Sequence, residues 1–154
     1  MTVVSNTSPI LNLFVVGRLD LLRTLYQRIL IPEQVAQELA RYQVPSAGWI
    51  EIANHSAEAL YSELHKQLHA GEADAIAMAV DLGADLLLMD ERRGRKEASK
   101  RGIEYMGLLG ILAEAKALQH IPNCRSVLHD LREIAGFWLG EELNQRFLNS
   151  VGEG

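Results

Sequence analysis

The sequence predicts an α/β fold, a parallel sheet covered by helices on both faces. Short apolar runs alternate with longer stretches of helical spacing until about residue 120. Those runs are apolar at nearly every position rather than every second one, the pattern of strands buried on both sides. Glycines and prolines stand where the helical stretches begin and end.

In chain order, Thr2 to Ser5 is a β-branched run that reads as the first buried strand, ending in Asn6, Thr7 and Ser8. Ser8 and Pro9 then start a helix with Ile10, Leu11, Leu13 and Phe14 as its apolar residues, stopped near Gly17. Arg18 to Tyr26 repeats Leu19, Leu22 and Leu25 and forms a second short helix. Arg28 to Ile31 is the second strand, and Pro32 opens a helix through Tyr42 with Val35 and Leu39 on one face. Glu38 lies beside Leu39 and one turn after Gln34, so it need not point straight into solvent. Ile50 to Ile52 is a brief third strand, and Ala57 to His69 a helix with its polar face toward water.

Gly71 to Lys96, GEADAIAMAVDLGADLLLMDERRGRK, is the densest stretch. Ala75, Ile76, Ala79 and Val80 at helical spacing make a helix able to lie close against a sheet, and Gly83 closes it. Leu86 to Met89 is a fully buried strand, followed at once by Asp90 and Glu91. A carboxylate there stands at the carboxyl end of a parallel strand, where open α/β sheets bind ligands. Arg92, Arg93, Arg95, Lys96, Lys100 and Arg101 form the one dense basic patch, on a helix completed by Glu97 to Arg101. Charge runs usually mean a solvated helix face, but this one begins beside Asp90, where phosphate contacts would position a nucleic-acid backbone.

Ile103 to Met106 is the last strand, between Gly102 and Gly107, and Leu108 to Leu118 is helical. From Ile121 onward there are two amphipathic helices and no strand. Val127, Leu128, Leu131 and Ile134 form one stripe, Leu143, Phe147 and Val151 the other, with Gly136, Phe137, Trp138 and Gly140 at the corner. Trp49 and Trp138 are expected in the core or an interface.

Composition narrows the classes. A chain of 154 residues with 48% hydrophobic content forms one domain with a proper core. A net charge of −5 argues against a general polycation, so affinity for nucleic acid must be local. Cys124 is the one cysteine, which excludes an internal disulfide and a thiolate zinc cluster. Without a signal-peptide pattern or a membrane-length apolar run, the expected compartment is the cytoplasm. His55, His65, His69, His120 and His129 are scattered and read as surface residues. No phosphate-cradling glycine loop follows a strand.

What remains is a set of oxygen donors in separated places. Asn6 and Asp90 directly follow buried strands, and Glu38 and Asp74 lie on helices next to the sheet. Oxygen donors without thiolates or imidazoles favour a hard cation, Mg²⁺ or Mn²⁺. Each residue alone has a plainer use. Asp74 and Glu72 suit a helix's first turn, Asp90 suits a cap, and Asn6 suits a turn.

As an ordered set these residues resemble the PIN-domain nucleases. VVSNTSPI is similar to that family's first strand and acid-x-Ser turn, PEQVAQEL to the helix with the second acid, and GEADAIAMA followed by LLLMDERRGR to the third and fourth. IEYMGLLGILAEAKALQHIP resembles one bacterial and archaeal branch. The resemblance implies a three-layer α/β/α sandwich with sheet order 3-2-1-4-5, as one domain over 1–154 with a helical extension at about 121–151. It implies Mg²⁺- or Mn²⁺-dependent endoribonuclease chemistry, often as the toxin of a toxin-antitoxin pair, with RNA as substrate, a small antitoxin as partner and a homodimer as assembly. Carried over by position, Asn6, Glu38, Asp74 and Asp90 are the metal and catalytic set. Ser8 supports the first ligand, and Glu72 and Glu91 are accessory acids. Apart from the resemblance, the basic run beside Asp90 offers Arg92, Arg93, Arg95 and Lys96 as the expected nucleic-acid contacts. Asn6 departs from the family's aspartate: its amide oxygen can ligate a cation but brings no charge. Weak or conditional nuclease activity is therefore expected, with a non-cleaving nucleic-acid- or protein-binding module as the alternative.

Overall fold

The computed structural model describes residues 1–154. Five parallel strands, β1 (Val3–Ser5), β2 (Ile29–Ile31), β3 (Ile50–Ile52), β4 (Leu86–Leu88) and β5 (Tyr105–Met106), form one sheet in the order β3-β2-β1-β4-β5. Val3, Val4 and Ser5 pair with Leu86, Leu87 and Leu88, and Val4 is also level with Leu30 on the other side. Every residue of β1, β2 and β4 is buried. Since successive side chains point to opposite faces, both faces of the sheet are covered, giving an α/β sandwich. The two edges are short: β5 has two residues, and β3 leaves Ile52 60% exposed.

The connecting helices follow the sequence closely. They are α1 (Thr7–Val15), α2 (Asp20–Tyr26), α3 (Glu33–Arg41), α4 (Glu58–His65), α5 (Ala70–Leu82), α6 (Arg92–Lys100) and α7 (Leu108–Ala117). Helix α5 is the hub. Its small residues Ala73, Ala75, Ala77 and Ala79 are fully buried, which lets its backbone lie close to β1, β4 and the neighbouring α3, α4 and α6. Val80, expected on that face, is 36% exposed because the helix is leaving the sheet near its end. Gly83 then terminates α5 in the left-handed conformation at φ 58°. The predicted helix over Ala57 to His69 stops early, at His65, and α5 begins at Ala70 after a short turn.

Helices α8 (Cys124–Glu133) and α9 (Glu141–Ser150) complete the chain. Val127, Leu128 and Leu131 of α8 are buried as expected, but Ile134 is 60% exposed, because the helix has ended there and the chain turns away toward Gly136. On α9 the inward stripe is Asn144, Phe147 and Leu148 with Val151 half-buried, so Leu143, one residue before it and about 100° around the helix, faces out. Trp138 is 85% exposed, so of its two expected places the core is excluded, whereas Trp49 packs against the core. Glu153 ties the tail down, accepting from the amides of Cys124 (2.7 Å) and Arg125 (3.0 Å) and from Lys116 Nζ (2.9 Å). No helix is long and apolar enough to cross a membrane.

Candidate functional site

All five strands run the same way, so the residues after them gather along one edge of the sheet. Topology reverses there: β1 leads to β2 on one side while β4 enters on the other, which opens a crevice between the ends of β1 and β4. Asn6 follows β1 and its amide hydrogen-bonds Leu88 O of β4 at 3.0 Å, placing it at the mouth of that crevice. Although Asn6 is the N-cap residue of α1, its side chain makes no capping bond. Its Nδ2 instead donates to Glu91 Oε2 at 2.9 Å, and Ser8 Oγ donates to Glu91 Oε1 at 3.1 Å.

Helix α3 brings a second carboxylate to the same place. Val35 and Leu39 turn into the core, which rolls Glu38 toward α1 and α5 rather than solvent. Glu38 accepts from Thr7 Oγ1 at 2.5 Å and from the Gly71 amide at 3.1 Å, in the first turn of α5. A Cβ at Gly71 would overlap the Glu38 carboxylate, so glycine makes this approach possible. Glu72, the next residue, is 7% exposed. Burial, and after it the charges of Glu91 and Glu38, raise its pKa above the usual carboxylate range.

Asn6, Thr7, Ser8, Glu38, Glu72 and Glu91 thus line a single cleft of about 550 Å³, with Arg41 and His69 at its walls. Three carboxylates share it. Two of the four expected ligands, Asn6 and Glu38, are in this cleft, and so are the expected accessory residues Ser8, Glu72 and Glu91.

Asp74 and Asp90 are placed elsewhere. Asp74 lies two residues beyond Glu72, about 200° further around α5, and so faces another cleft. Its Oδ1 is 2.6 Å from His55 Nε2, and its Oδ2 accepts from the Gln34 amide at 3.2 Å. The Ala57 amide donates to His55 Nδ1 at 3.1 Å, so the imidazole carries its proton on Nε2 and gives it to Asp74. The His55 side chain is only 8% exposed, a correction to its reading as a surface residue. Asp90 turns toward β5 and α7: its Oδ1 accepts from the Leu108 amide at 2.9 Å and lies 3.6 Å from an Arg95 nitrogen. Burial raises its pKa to about 6, against the opposing pull of the Leu108 amide and Arg95.

The basic helix divides in the same way. Arg95 is committed to the fold, donating from Nε to Met89 O at 3.0 Å and lying over the Tyr105 ring. Lys100 and Arg101 pair with Glu97 at 3.2 and 2.7 Å. Arg92, Arg93 and Lys96 are exposed and make no ion pair.

A divalent cation is the group this site's chemistry suggests. No three carboxylate, thiolate or imidazole groups already stand together as a metal cluster, and hydroxyl and amide donors from Thr7, Asn6 and Ser8 hold Glu38 and Glu91. The donor set nevertheless fits a hard cation: it is all oxygen. In addition, Asn6 Oδ1 and Asp90 Oδ2, at the ends of neighbouring strands, are buried acceptors without a hydrogen-bond partner.

Thr7, which holds Glu38, and His55, which holds Asp74, escaped the sequence reading. Thr7 had a local signal, a hydroxyl in the turn after a buried strand. His55 had none, since its partner is nineteen residues away.

A family model described as a PIN domain matches residues 2–153, nearly the whole chain. No curated protein and no solved structure matches it. The sheet order 3-2-1-4-5, the acidic cleft where β1 and β4 end and the full-length family match agree, and the chain belongs to the PIN-domain family, a nuclease fold.

Proposed function

We propose that the chain is a divalent-metal-dependent endoribonuclease working from the cleft between β1, β4, α3 and α5. The observation that carries this reading is the grouping of Glu38, Glu72 and Glu91 with Asn6 in one cleft, from four separated places in the sequence. In this reading those four residues hold Mg²⁺ or Mn²⁺, with the free Oδ2 of Asp90 next in line at the neighbouring strand end. The cation would supply Lewis-acid stabilisation to a phosphoryl oxygen and a source of hydroxide at neutral pH. Thr7 and Ser8 orient the carboxylates of Glu38 and Glu91, and the Gly71 amide fixes Glu38. Asn6 lowers the negative charge of the set by one relative to aspartate, so weak or conditional cleavage is expected. A toxin role in a toxin-antitoxin pair, with a small antitoxin as partner, a homodimer as assembly and the cytoplasm as setting, belongs to the same proposal.

The test is cleavage of structured and unstructured RNA with Mn²⁺ or Mg²⁺, comparing the natural protein with Glu91→Gln. Metal-dependent cleavage lost in the variant supports the reading; cleavage that persists unchanged overturns the assignment of this cleft.

One observation favours a second reading, a binding module without cleavage. Asn6 and Ser8 both donate to Glu91, so the carboxylate nearest the strand ends is satisfied with no cation. Titration separates the two. A nuclease site gains melting temperature with Mn²⁺, and an inert module does not.

A further inference from the structure

The turn between α4 and α5 has a different face on each side. His69 lines the acidic cleft, whereas its neighbour Leu68, with Lys66 and Gln67, lines a second groove whose opposite wall is α6. From α6 come Arg93, Lys96, Glu97 and Lys100, and the groove encloses about 530 Å³. Its one acid, Glu97, is already held by Arg101, whose hydrogen bond is the main cause of its lowered pKa, and by Lys100. Lys66 pairs only with Glu63, in a fully solvated contact of little strength. Arg93 and Lys96, one helical turn apart, have no acidic partner. In a chain of net charge −5, this is a concentrated cationic groove, assembled from segments some thirty residues apart and meeting the acidic cleft at the Leu68–His69 step of the chain.

We propose that this groove carries the phosphate backbone of an RNA strand whose neighbouring nucleotide lies in the acidic cleft, with Lys66, Arg93 and Lys96 as the phosphate contacts. The proposal rests on the nuclease reading of that cleft and adds the path of the substrate. The lining favours nucleic acid over an acidic protein. Leu68 is its one apolar residue and is itself buried, so there is no hydrophobic centre for a protein interface, whereas nucleic-acid interfaces are polar and strongly positive. No aromatic ring lines the groove, so it holds the backbone without stacking or reading bases. Lys66 is the new member: it lies outside the basic run, and only the fold brings it opposite α6.

The experiment is anisotropy titration of a fluorescein-labelled single-stranded RNA with the full chain, in EDTA so that nothing is cleaved. The double variant Lys66→Glu and Lys96→Glu is compared with Arg23→Glu and Arg146→Glu, an equal change in charge at exposed positions outside the groove. Circular dichroism and melting temperature confirm that both variants fold. Expected are an affinity loss of about tenfold for the groove variant at low salt and a salt dependence shallower by roughly 0.7 per lost contact, with the control close to the natural protein. Equal weakening in both variants, or an unchanged salt slope in the groove variant, overturns the proposal. So does loss of binding to a labelled poly-glutamate peptide with RNA binding intact, which would assign the groove to an acidic protein. The reading on which it rests fails separately: binding in EDTA survives in a protein that never cleaves, and Mn²⁺-dependent cleavage with unaltered KM in the groove variant leaves the nuclease and removes the groove.

Discussion

Asn6 donates its side-chain amide to Glu91 across 2.9 Å, joining the residue after β1 to the first residue past Asp90 at the end of β4. This bond holds the crevice together without a cation, and it depends on residue 6 being an amide. An aspartate there would set two carboxylates against each other, and each would resist ionisation until a cation came between them.

Asn6→Asp is therefore expected to destabilise the protein in EDTA at neutral pH by about 1–3 kcal/mol, the loss of a half-buried hydrogen bond plus like-charge repulsion. In Mn²⁺ the order reverses, with a larger rise in melting temperature than the natural protein shows. Differential scanning fluorimetry with and without Mn²⁺ reads both effects. An unchanged response to the metal would show that residue 6 contributes nothing to cation binding.

The pair of Asp74 and His55 predicts a different signature. Asp74 joins the β3–α4 connection to α5 through His55 and meets the first turn of α3 at the Gln34 amide, so it acts between the two helices that carry Glu38 and Glu72. His55 Nε2 and the Gln34 amide reach different oxygens of Asp74, so Asp74→Asn, with its one carbonyl oxygen at either position, sets its NH2 against the donor at the other. A stability loss of about 1–3 kcal/mol follows, or a melting temperature lower by roughly 2–4 °C per kcal/mol in a domain of this size. The increment produced by Mn²⁺ should nevertheless survive, whereas Glu91→Gln abolishes it. Loss of the increment in Asp74→Asn alone would return Asp74 to the ligand set.

The contrast between these residues shows how far a sequence speaks. The sheet was legible because Val3 to Ser5, Ile29 to Ile31 and Leu86 to Leu88 are apolar or small at every position, and burial on both faces imposes that pattern directly. The edge of the sheet on which donors gather was legible too, since parallel strands fix it. Which acids share a cleft was not. Glu72 and Asp74 are two residues apart, and the choice between them depends on the rotation of α5 about its axis, set by buried alanines that look alike from several sides. Asp90 and Glu91 pose the same problem at a strand end, settled by the Leu108 amide drawing Asp90 toward α7. Lys66 reaches the basic groove only through the packing of α4, α5 and α6, which no local pattern records.

Asp90 gives the fold a pH dependence of its own. Its pKa rises on folding from 3.8 to about 6, so the folded chain holds a proton that the unfolded chain has released. Stability from this group is fully present below pH 4, falls as pH rises toward 6 and stays low above it. At about 1.4 kcal/mol for each tenfold change in proton affinity, the loss approaches roughly 3 kcal/mol. Asp90→Asn keeps an acceptor for the Leu108 amide and removes the titration. Chemical denaturation in EDTA is expected to find the variant more stable than the natural protein at pH 7 to 8, with the advantage shrinking to nothing near pH 4. An advantage independent of pH would mean that Asp90 is not the group responsible.

Gly71 supplies the sharpest test of how the cleft is built. In most helix interiors Gly→Ala stabilises by about 0.5–1 kcal/mol, because alanine has less freedom to lose on folding. Here the added methyl would overlap the Glu38 carboxylate, which sits over the first turn of α5 and accepts the Gly71 amide. The carboxylate, the end of a flexible side chain, can move aside only by giving up its bonds from Thr7 and the Gly71 amide. Gly71→Ala should therefore destabilise by that loss, and it should also diminish the rise in melting temperature with Mn²⁺ by displacing Glu38 from the cleft. Combining it with Glu38→Ala removes the overlap, so in the double variant the alanine at 71 becomes neutral or favourable. The resulting coupling energy, read from denaturation of both single variants and the double, is expected at about 1–3 kcal/mol. Additive effects would mean that Glu38 does not lie against α5 in solution, and the cleft would lose one of its three carboxylates.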